Sequence, residues 1–202
     1  SIEELDVEKI AAGLKFPVYV KPPNLGSSVG ITKVSTPDKL KAAVEEAFKY
    51  DHKVLIEEGI VGRELECAIL GNKDPKASTV GEVLTSQSHD FYDYEAKYLD
   101  AEGSTTIIPA KLTDEQMSKV QRVALDTYTT LECEGMARVD VFLLEDDRIL
   151  VNEVNTAPGF TSISMYPKLW GESGIDYTAL ITQLVELGIE RFNREKQKIT
   201  TI

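Results

Sequence analysis

The sequence contains little cysteine, little histidine and no long apolar run. No uninterrupted apolar segment approaches the roughly 20 residues that cross a bilayer, and the first residues, SIEELDVEKI, are acidic rather than signal-like. The two cysteines, Cys67 and Cys133, have no CxxC spacing, so we expect free thiols in a cytoplasmic protein. Because His52 and His89 are the two histidines, a zinc site is not expected.

Basic residues are also scarce. The chain has 22 Lys and Arg against 34 Asp and Glu, which gives a formal net charge of −12. Such a balance argues against a general nucleic-acid binder, because phosphate contacts need a basic surface. Hydrophobic residues make up 42% and charged residues 28% of the 202 positions, values typical of one globular domain or of two tightly joined lobes.

Strand-like and helix-like segments alternate along the chain without repeats or Pro/Gly/Ser linkers. Strands are predicted at 16–20, 30–34, 54–58, 64–70, 79–84, 136–144 and 148–154. Helices are predicted at 2–14, after Thr36-Pro37, from Thr113 to about Leu131, and at 176–194, with a long loop at 86–104. Strands in adjacent runs with helices between them predict an α+β fold with helices packed on largely antiparallel sheet.

Two of the predicted helices carry an apolar stripe. The stripe of the second helix consists of Leu40, Ala43, Val44, Ala47 and Phe48. That of the third consists of Met117, Val120, Ala124, Tyr128 and Leu131, after a capping box formed by Thr113 and Gln116. This spacing is typical of side chains that face a protein core.

The last two predicted strands flank Asp146-Asp147 and form the clearest candidate site. If those two residues are the loop of a hairpin, Asp140 faces Glu153 and Arg138 faces Asn155. Because side chains alternate along a strand, all four project from one face. Phe142 and Val151 are expected further along that charged face, whereas the opposite face is expected to carry Val139, Val141, Leu143, Leu150 and Val154.

Two carboxylates directly across a ladder repel each other unless a cation lies between them. Asp140, Glu153 and Asn155 offer oxygen ligands, which suit Mg²⁺ or Mn²⁺. The alternative is a polar stripe in which Arg138 pairs with its acidic neighbours. After this strand comes a Pro-Gly turn at Gly159, whose N–H groups, together with Arg138, could stabilise an oxyanion, although an ordinary turn would have the same sequence.

A glycine-rich segment follows the first predicted strand. Lys21 ends that strand, and Gly26 and Gly30 then flank Ser27 and Ser28, a pattern that matches neither GxxxxGK[ST] nor GxGxxG. The backbone N–H groups of such a loop could cover phosphates, with the lysine as a point charge. A plain hairpin connection is the alternative.

The segment 57–60 and Glu64 could together contact a nucleoside. Backbone groups at a strand end can pair with an adenine edge, and a carboxylate can accept hydrogen bonds from ribose hydroxyls. An acidic loop is the simpler alternative.

Five segments occur in an order that is similar to one family. They read VKPPNLGSSVG, LIEEGIVGRELECAILG, FYDYEAKY, ARVDVF and NEVNTAPGFTSISMYP. In this order they resemble the D-alanine–D-alanine ligases of the ATP-grasp superfamily, from about Phe16 to the final helix. The resemblance implies an α+β ATP-grasp fold, with part of the central lobe at 1–62 and the C-terminal lobe at 63–202, which carries a lid loop at 86–104.

The resemblance also implies a role for each matched residue. ATP-binding residues are implied at Lys21, Ser28, Glu57, Glu58, Gly59, Ile60, Glu64 and Lys97. Ligands of usually two Mg²⁺ or Mn²⁺ ions are implied at Asp140, Glu153 and Asn155. Catalytic roles are implied for Arg138 and Gly159 at an oxyanion site and for the lid pair of Ser27 and Tyr98. A pocket for the second D-alanine is implied at Ser164 and Met165.

The implied reaction has two steps. ATP phosphorylates the carboxylate of one D-alanine, and the amine of a second attacks the acyl phosphate to give the dipeptide, ADP and phosphate. Tyr98 favours the dipeptide over the D-alanine–D-lactate ester. The alternatives are a D-alanine–D-lactate ligase, another ATP-grasp carboxylate–amine ligase, or an inactive fragment that binds nucleotide and metal.

A cytoplasmic enzyme of peptidoglycan synthesis, cell-wall biogenesis and cell shape is therefore expected. D-alanine is its expected partner, nucleic acid and membrane are not, and the resemblance allows a homodimer. Family members begin with a further amino-terminal domain, which supplies a glutamate and part of the first D-alanine site, and no such segment precedes Ser1. We therefore expect little ligase activity from the chain by itself.

Overall fold

The computed structural model describes residues 6–24, 29–85, 104–161 and 163–197. These residues form two compact units, one that contains the described residues up to Val61 and one that contains Gly62–Leu84 and the chain from residue 106 onward. No helix in the described part of the chain is long and apolar enough to cross a membrane. The loop predicted at 86–104 lies outside the described residues, except for Ser104.

The first unit is a small antiparallel sheet with two helices. Its strands are β1 (Val18–Lys21), β2 (Thr32–Val34) and β3 (Leu55–Glu58), in the spatial order β2-β1-β3. Its helices are α1 (Val7–Ala12) and α2 (Leu40–Ala47), and α2 follows a 3₁₀ turn at Pro37–Lys39.

The core of this unit lies between one face of the sheet and the helices. The predicted stripe of α2 is confirmed: Leu40, Ala43, Val44 and Ala47 are buried, and Phe48 packs against them. Their partners on the sheet are Val18, Val20 and Val34. Because side chains alternate along β1, Tyr19 and Lys21 belong to the opposite face of the sheet.

The second unit is built on a five-stranded sheet in the order β6-β5-β4-β7-β8. Its strands are β4 (Arg63–Gly71), β5 (Lys76–Thr85), β6 (Ser104–Ile107), β7 (Gly135–Leu143) and β8 (Ile149–Asn155). Its helices are α3 (Asp114–Thr130), α4 (Met165–Glu172) and α5 (Tyr177–Lys196). Strand β4 runs antiparallel to β5 and β7, and β7 runs antiparallel to β8, so the predicted α+β fold with largely antiparallel sheet is confirmed.

Helix α3 covers the core face of this sheet. The capping box is present, because the Gln116 N–H donates to the Thr113 side chain and the Gln116 side chain accepts from the Thr113 N–H. Val120, Ala124 and Tyr128 are buried as predicted. The prediction for Leu131 is wrong, since its side chain is 57% exposed. The helix ends one residue earlier, so Leu131 is the C-cap and leaves the apolar stripe.

Two elements of the second unit were not predicted from the sequence. Strand β6 begins at Ser104, where the sequence predicts a loop. Helix α4 contains Pro167 and Gly171, residues that weaken a helical pattern. It forms because its apolar side chains are buried against the sheet, where a Cβ atom on Gly81 of β5 would lie 2.8 Å from Met165 Cε and would displace that side chain.

Candidate functional site

The predicted pairing of the two acidic strands is confirmed at the positions that carry the charges. Asp140 of β7 lies opposite Glu153 of β8, and Arg138 lies opposite Asn155. The alternation along β7 is also as predicted, with Ala137, Val139, Val141 and Leu143 buried on the core face. The four polar side chains therefore belong to the opposite face, which we call the charged face.

The hairpin loop differs from the prediction. A two-residue loop at Asp146-Asp147 is wrong, because the N–H of Leu144 donates to the carbonyl of Arg148 and leaves three residues between them. Asp147 has a φ of 60°, in the left-handed region that closes such loops. An extra loop residue shifts every opposed position by one, which on its own would move each β8 side chain to the other face.

A β-bulge in β8 reverses this shift before the strands reach the charged pairs. Val141 lies opposite Val151, but the next residue of β7, Asp140, lies opposite Glu153, so Asn152 is the additional residue. Without the bulge, Asp140 would face Asn152. The longer loop and the bulge offset each other, and the predicted charged pairs result.

Between the loop and the bulge, the predicted faces of β8 are wrong. Leu150 lies opposite Phe142, on the charged face, and Ile149 takes the expected place of Leu150 against the core. Val151 lies opposite Val141 rather than on the charged face, and it is 44% exposed. The reason is the one-residue shift that the three-residue loop introduces.

Strand β4 adds an acidic side chain that the sequence analysis did not single out. Glu66 lies opposite Asp140, so Glu66, Asp140 and Glu153 form a row across three neighbouring strands, here called the acidic row. Glu64 belongs to the same face, opposite Phe142. The alternation of Glu64 and Glu66 in a predicted strand was a usable signal, but the sequence did not show that this strand lies beside β7.

Arg138 lies among the carboxylates of the acidic row. Its Nε and Nη2 donate to the two carboxylate oxygens of Asp140, at 2.7 Å each, and Nε also lies 3.0 Å from Glu66 Oε2. The side chains of Arg138, Asp140 and Glu66 are 17%, 13% and 14% exposed. Burial alone would lower the pKa of Arg138, but attraction to Asp140, Glu66 and Glu153 outweighs burial and raises it. This pairing is the arrangement that the alternative interpretation predicted.

Asn155 joins the two proposed carboxylate ligands. Its Nδ2 donates to Asp140 Oδ2 at 3.0 Å and to Glu153 Oε1 at 3.2 Å. Because one nitrogen atom contacts both carboxylates, their oxygens converge on a common point rather than diverge. A half-turn of the amide would present Oδ1 to the same point and complete a set of oxygen ligands.

This set of oxygens fits a hard divalent cation. The described residues contain no group of three His, Cys, Asp or Glu side chains that could hold a metal ion. Two carboxylates and an amide would supply only part of the coordination shell of Mg²⁺, which usually takes its other ligands from water and nucleotide phosphates. The residues present therefore fit a nucleotide-bound magnesium ion.

The turn after β8 is held together by Ser164. The Thr161 N–H donates to Ser164 Oγ at 3.0 Å, and the Ser164 N–H donates back to the Thr161 carbonyl at 3.0 Å. A Cβ atom on Gly159 would lie 2.9 Å from Ser164 Oγ, so a side chain at this position would displace that hydroxyl. Met165, the other predicted pocket residue, is 7% exposed and packs against Gly81.

The first unit places Lys21 beside an acidic side chain. Lys21 Nζ lies 2.6 Å from Glu57 Oε2, and the lysine side chain is 15% exposed. Lys21 pairs with Leu55, and Glu57 pairs with Tyr19, so both charged residues belong to the sheet face that is opposite the helices. The ammonium group that we expected at a phosphate site is therefore held by a carboxylate in this structure.

Residues 58 and 59 form hydrogen bonds with the residues that precede β1. Glu58 Oε1 accepts the Lys15 N–H at 3.0 Å, and the Gly59 N–H donates to the Pro17 carbonyl at 2.7 Å. A Cβ atom on Gly59 would lie 2.8 Å from that carbonyl oxygen, which explains the glycine. Ile60, at the end of this segment, is 37% exposed.

The structure describes most, but not all, of the predicted site residues. Glu64, Arg138, Asp140, Glu153 and Asn155 share one face of the second unit. Lys21 and the segment 57–60 belong to the first unit. Four predicted residues lie outside the described part of the chain: Ser27, Ser28, Lys97 and Tyr98.

Comparison with known sequences supports the resemblance. Residues 2–186 match the family described as "D-ala D-ala ligase C-terminus". The chain is 56% identical over 195 residues to a D-alanine–D-alanine ligase of Shouchella clausii, and 49% identical over 194 residues to D-alanine–D-alanine ligase A of Escherichia coli K12. These alignments cover 96% of this chain and 52% and 53% of the relatives. The chain thus spans about half the length of the curated relatives that it matches.

Comparison with solved structures gives the same family. The D-alanine–D-alanine ligase of Coxiella burnetii superposes with a TM-score of 0.81 at 37% identity, over 98% of this chain and 51% of that one. The D-Ala:D-Ser ligase VanG of Enterococcus faecalis superposes with a TM-score of 0.81 at 39% identity, over 92% of this chain and 53% of that one.

Proposed function

The chain belongs to the D-alanine–D-alanine ligase family, whose C-terminal region it matches, and we propose that it forms the ATP- and magnesium-binding part of such a ligase. The observation that carries this proposal is the convergence of Asp140, Glu153 and Asn155 on one point. A cluster of negative side chains is costly unless a cation compensates it. Magnesium-bound nucleotide has the charge and the open coordination positions that this cluster requires.

Each side chain of the charged face has a proposed task. Asp140, Glu153 and Asn155 would hold magnesium or manganese, usually as two ions in this family. When bound, the metal neutralises phosphate charge during phosphorylation of the first D-alanine carboxylate. Arg138 and the Gly159 N–H then stabilise the oxyanion that develops when the second D-alanine amine attacks the acyl phosphate. Most of the rate acceleration would come from holding the reactants in position and from charged groups that are already in place.

Further residues have proposed tasks in nucleotide binding. Lys21 is proposed to exchange Glu57 for ATP phosphates, because a triphosphate carries more negative charge than a single carboxylate and attracts the ammonium group more strongly. The segment Glu57, Glu58, Gly59 and Ile60 is proposed for adenine, and Glu64 for ribose. Ser27, Ser28, Lys97 and Tyr98 are proposed to close over the phosphates, with 86–104 as the lid loop of a C-terminal lobe at 63–202.

The second substrate is proposed to be D-alanine, bound near Ser164 and Met165. One structural neighbour is named a D-Ala:D-Ser ligase, so D-serine is an alternative candidate, as are other amines and D-lactate, whose hydroxyl would give an ester. We propose that Tyr98 favours the dipeptide. A product assay with D-alanine, D-serine and D-lactate in competition tests this: D-alanyl-D-alanine should predominate at neutral pH, and a predominant ester would contradict the proposal.

The metal proposal is tested by calorimetry with ATP in the presence and absence of Mg²⁺. We expect Mg²⁺ to tighten ATP binding to the wild type, and Glu153→Gln to lose most of that gain, about tenfold or more. Asp146→Asn is the matched control, because it removes an acid from the exposed loop of the same hairpin. Equal binding by wild type and Glu153→Gln would contradict the proposal.

The cellular setting is also a proposal. Both cysteines are free thiols in the structure, which fits a reducing compartment such as the cytoplasm. There the reaction would supply peptidoglycan precursors for the cell wall. We propose a homodimer as the assembly to be tested, and sedimentation of the purified protein at several concentrations would decide it.

A further inference from the structure

Nitrogen donors already occupy both carboxylate oxygens of Asp140. Oδ1 accepts from Arg138 Nε, and Oδ2 accepts from both Arg138 Nη2 and Asn155 Nδ2. A carboxylate oxygen has about two acceptor positions, so Oδ2 has none left for a metal ion. Oδ2, the oxygen that Asn155 links to Glu153, can become a metal ligand only if Arg138 or Asn155 gives up a contact.

Arg138 has a second acceptor within reach. Its Nε carries a single hydrogen, and two oxygens compete for it: Asp140 Oδ1 at 2.7 Å and Glu66 Oε2 at 3.0 Å. The difference in distance is so small that a slight movement of the guanidinium would transfer the hydrogen bond. Glu66 is as buried as Asp140, so its charge is only weakly screened by water.

Such an acceptor matters because Arg138 is itself mostly buried. A buried guanidinium that loses its carboxylate is strongly destabilised. The residue opposite Arg138 on β4 is Ala68, which has no charge, and Glu153 is a proposed metal ligand. When the metal engages Asp140 and Glu153, Glu66 is the member of the acidic row that stays with the arginine.

We propose that Glu66 is a positioning residue that holds Arg138 when Asp140 turns to the metal. This inference rests on the proposed function. It adds a residue that takes Arg138 over from Asp140 when Asp140 binds the metal. Glu66 lowers the cost of freeing Asp140, and it keeps the guanidinium at the place where the oxyanion develops. Without Glu66, Arg138 would stay on Asp140 and compete with Mg²⁺.

The test compares Glu66→Gln with Glu82→Gln. Glu82 also forms an arginine ion pair on this sheet, with Arg63 at 2.7 Å, but it belongs to the core face, opposite Leu65. Calorimetry with ADP gives the Mg²⁺ concentration at which the metal-dependent gain in affinity is half complete. We expect Glu66→Gln to raise this concentration about three- to tenfold, and Glu82→Gln to leave it within about twofold. ADP affinity without Mg²⁺ should not change in either variant.

Repeating the comparison in an Arg138→Met protein distinguishes an exchange of Arg138 between two carboxylates from a simple loss of negative charge. If Glu66 acts through Arg138, Glu66→Gln should change the Mg²⁺ requirement of an Arg138→Met protein by less than about twofold. The same fold-change in both backgrounds, or none in the wild-type background, would overturn the inference while leaving the magnesium proposal intact. No Mg²⁺ effect on the wild type would contradict both.

A spectroscopic measurement keeps the test independent of how well the double variant folds. The NMR signal of the Arg138 Nε–H group should shift when Mg²⁺ and ADP are added to the wild type and to Glu82→Gln. In Glu66→Gln, which lacks the second carboxylate, that shift should be absent or much smaller. Equal shifts in all three proteins would overturn the inference.

Discussion

At the scale of single residues, the second unit contains two arginine–carboxylate pairs with different roles. Arg138 is shared between Asp140 and Glu66 on the charged face, where a ligand can compete for either acid. Arg63 binds Glu82 through two parallel contacts and also donates to the Lys111 carbonyl at 2.9 Å. Arg138 is proposed to change partners. Arg63 is proposed to keep its contacts with Glu82 and the Lys111 carbonyl, which stabilise the fold.

The Arg63 pair yields a prediction about stability. Arg63→Met would leave the Glu82 carboxylate, which is 7% exposed, without its cation, and we expect a loss of about 2–4 kcal/mol in the free energy of unfolding. Urea denaturation followed by circular dichroism measures this loss. Arg148→Met is the control: its pair with Asp146 is 68% and 55% exposed, so it should cost less than about 1 kcal/mol. Equal losses would show that burial does not determine the cost.

The two thiols yield a prediction about reactivity. Burial raises the pKa of Cys67 to about 12, so at pH 8 this thiol stays protonated as well as inaccessible. Cys133 is only partly buried. Iodoacetamide followed by mass spectrometry should label Cys133 in the native protein, and both cysteines in denaturant. Rapid labelling of Cys67 in the folded protein would contradict the structure.

At the scale of the elements, the hairpin of β7 and β8 shows how a correct prediction can rest on an incomplete premise. The pairs of Asp140 with Glu153 and of Arg138 with Asn155 were predictable from alternation and a short loop. The three-residue loop and the bulge at Asn152 were not, because turn type and bulges depend on local backbone geometry that alternation does not encode. Only the stretch between loop and bulge, around Leu150, was predicted on the wrong face.

The same limit applies to helix α4. Its Pro167 and Gly171 lower the intrinsic helix propensity, and the chain is helical there because its apolar side chains meet the sheet at Gly81. Glu66 was missed for a related reason: which strands become neighbours is decided by tertiary packing. Long amphipathic helices such as α3, by contrast, were predictable from spacing and capping residues alone.

The C-terminal ends of two helices lead to two predicted changes in the free energy of unfolding, with opposite signs. Helices α3 and α4 both end in a turn that is closed by paired hydrogen bonds, with Glu132 at a φ of 52° in one and Gly174 at 88° in the other. Only glycine adopts that conformation without strain. Glu132→Gly should therefore raise the free energy of unfolding by about 0.5–1 kcal/mol, and Gly174→Ala should lower it by about 1 kcal/mol. Thermal or urea unfolding measures both, and a destabilising Glu132→Gly would contradict the assignment.

At the scale of the whole molecule, composition and pattern were informative about fold class and family but not about the arrangement of strands. The alternation of elements predicted an α+β fold, and the five motifs predicted the family that the sequence and structure comparisons then gave. The sheet order β6-β5-β4-β7-β8 brings Glu66 of β4 next to Asp140 of β7, although 74 positions along the chain separate them. Such long-range neighbours are set by the packing of the complete sheet.

The extent of the chain leads to a prediction about turnover. The relatives named as D-alanine–D-alanine ligases are about twice as long as the part that this chain matches. The 202-residue polypeptide should therefore bind ATP with Mg²⁺ but release phosphate slowly when D-alanine is added. A coupled assay for phosphate measures this rate. Rapid phosphate release that depends on D-alanine would show that these 202 residues suffice for catalysis.

The central claim is that Asp140, Glu153 and Asn155 bind a nucleotide-associated metal ion. The most direct measurement is anomalous diffraction from crystals of the protein grown with Mn²⁺ and a non-hydrolysable ATP analogue. A manganese peak about 2.1 Å from oxygens of all three side chains is the predicted result. Bound analogue with no manganese between these residues, and with Arg138 still holding both oxygens of Asp140, would contradict it.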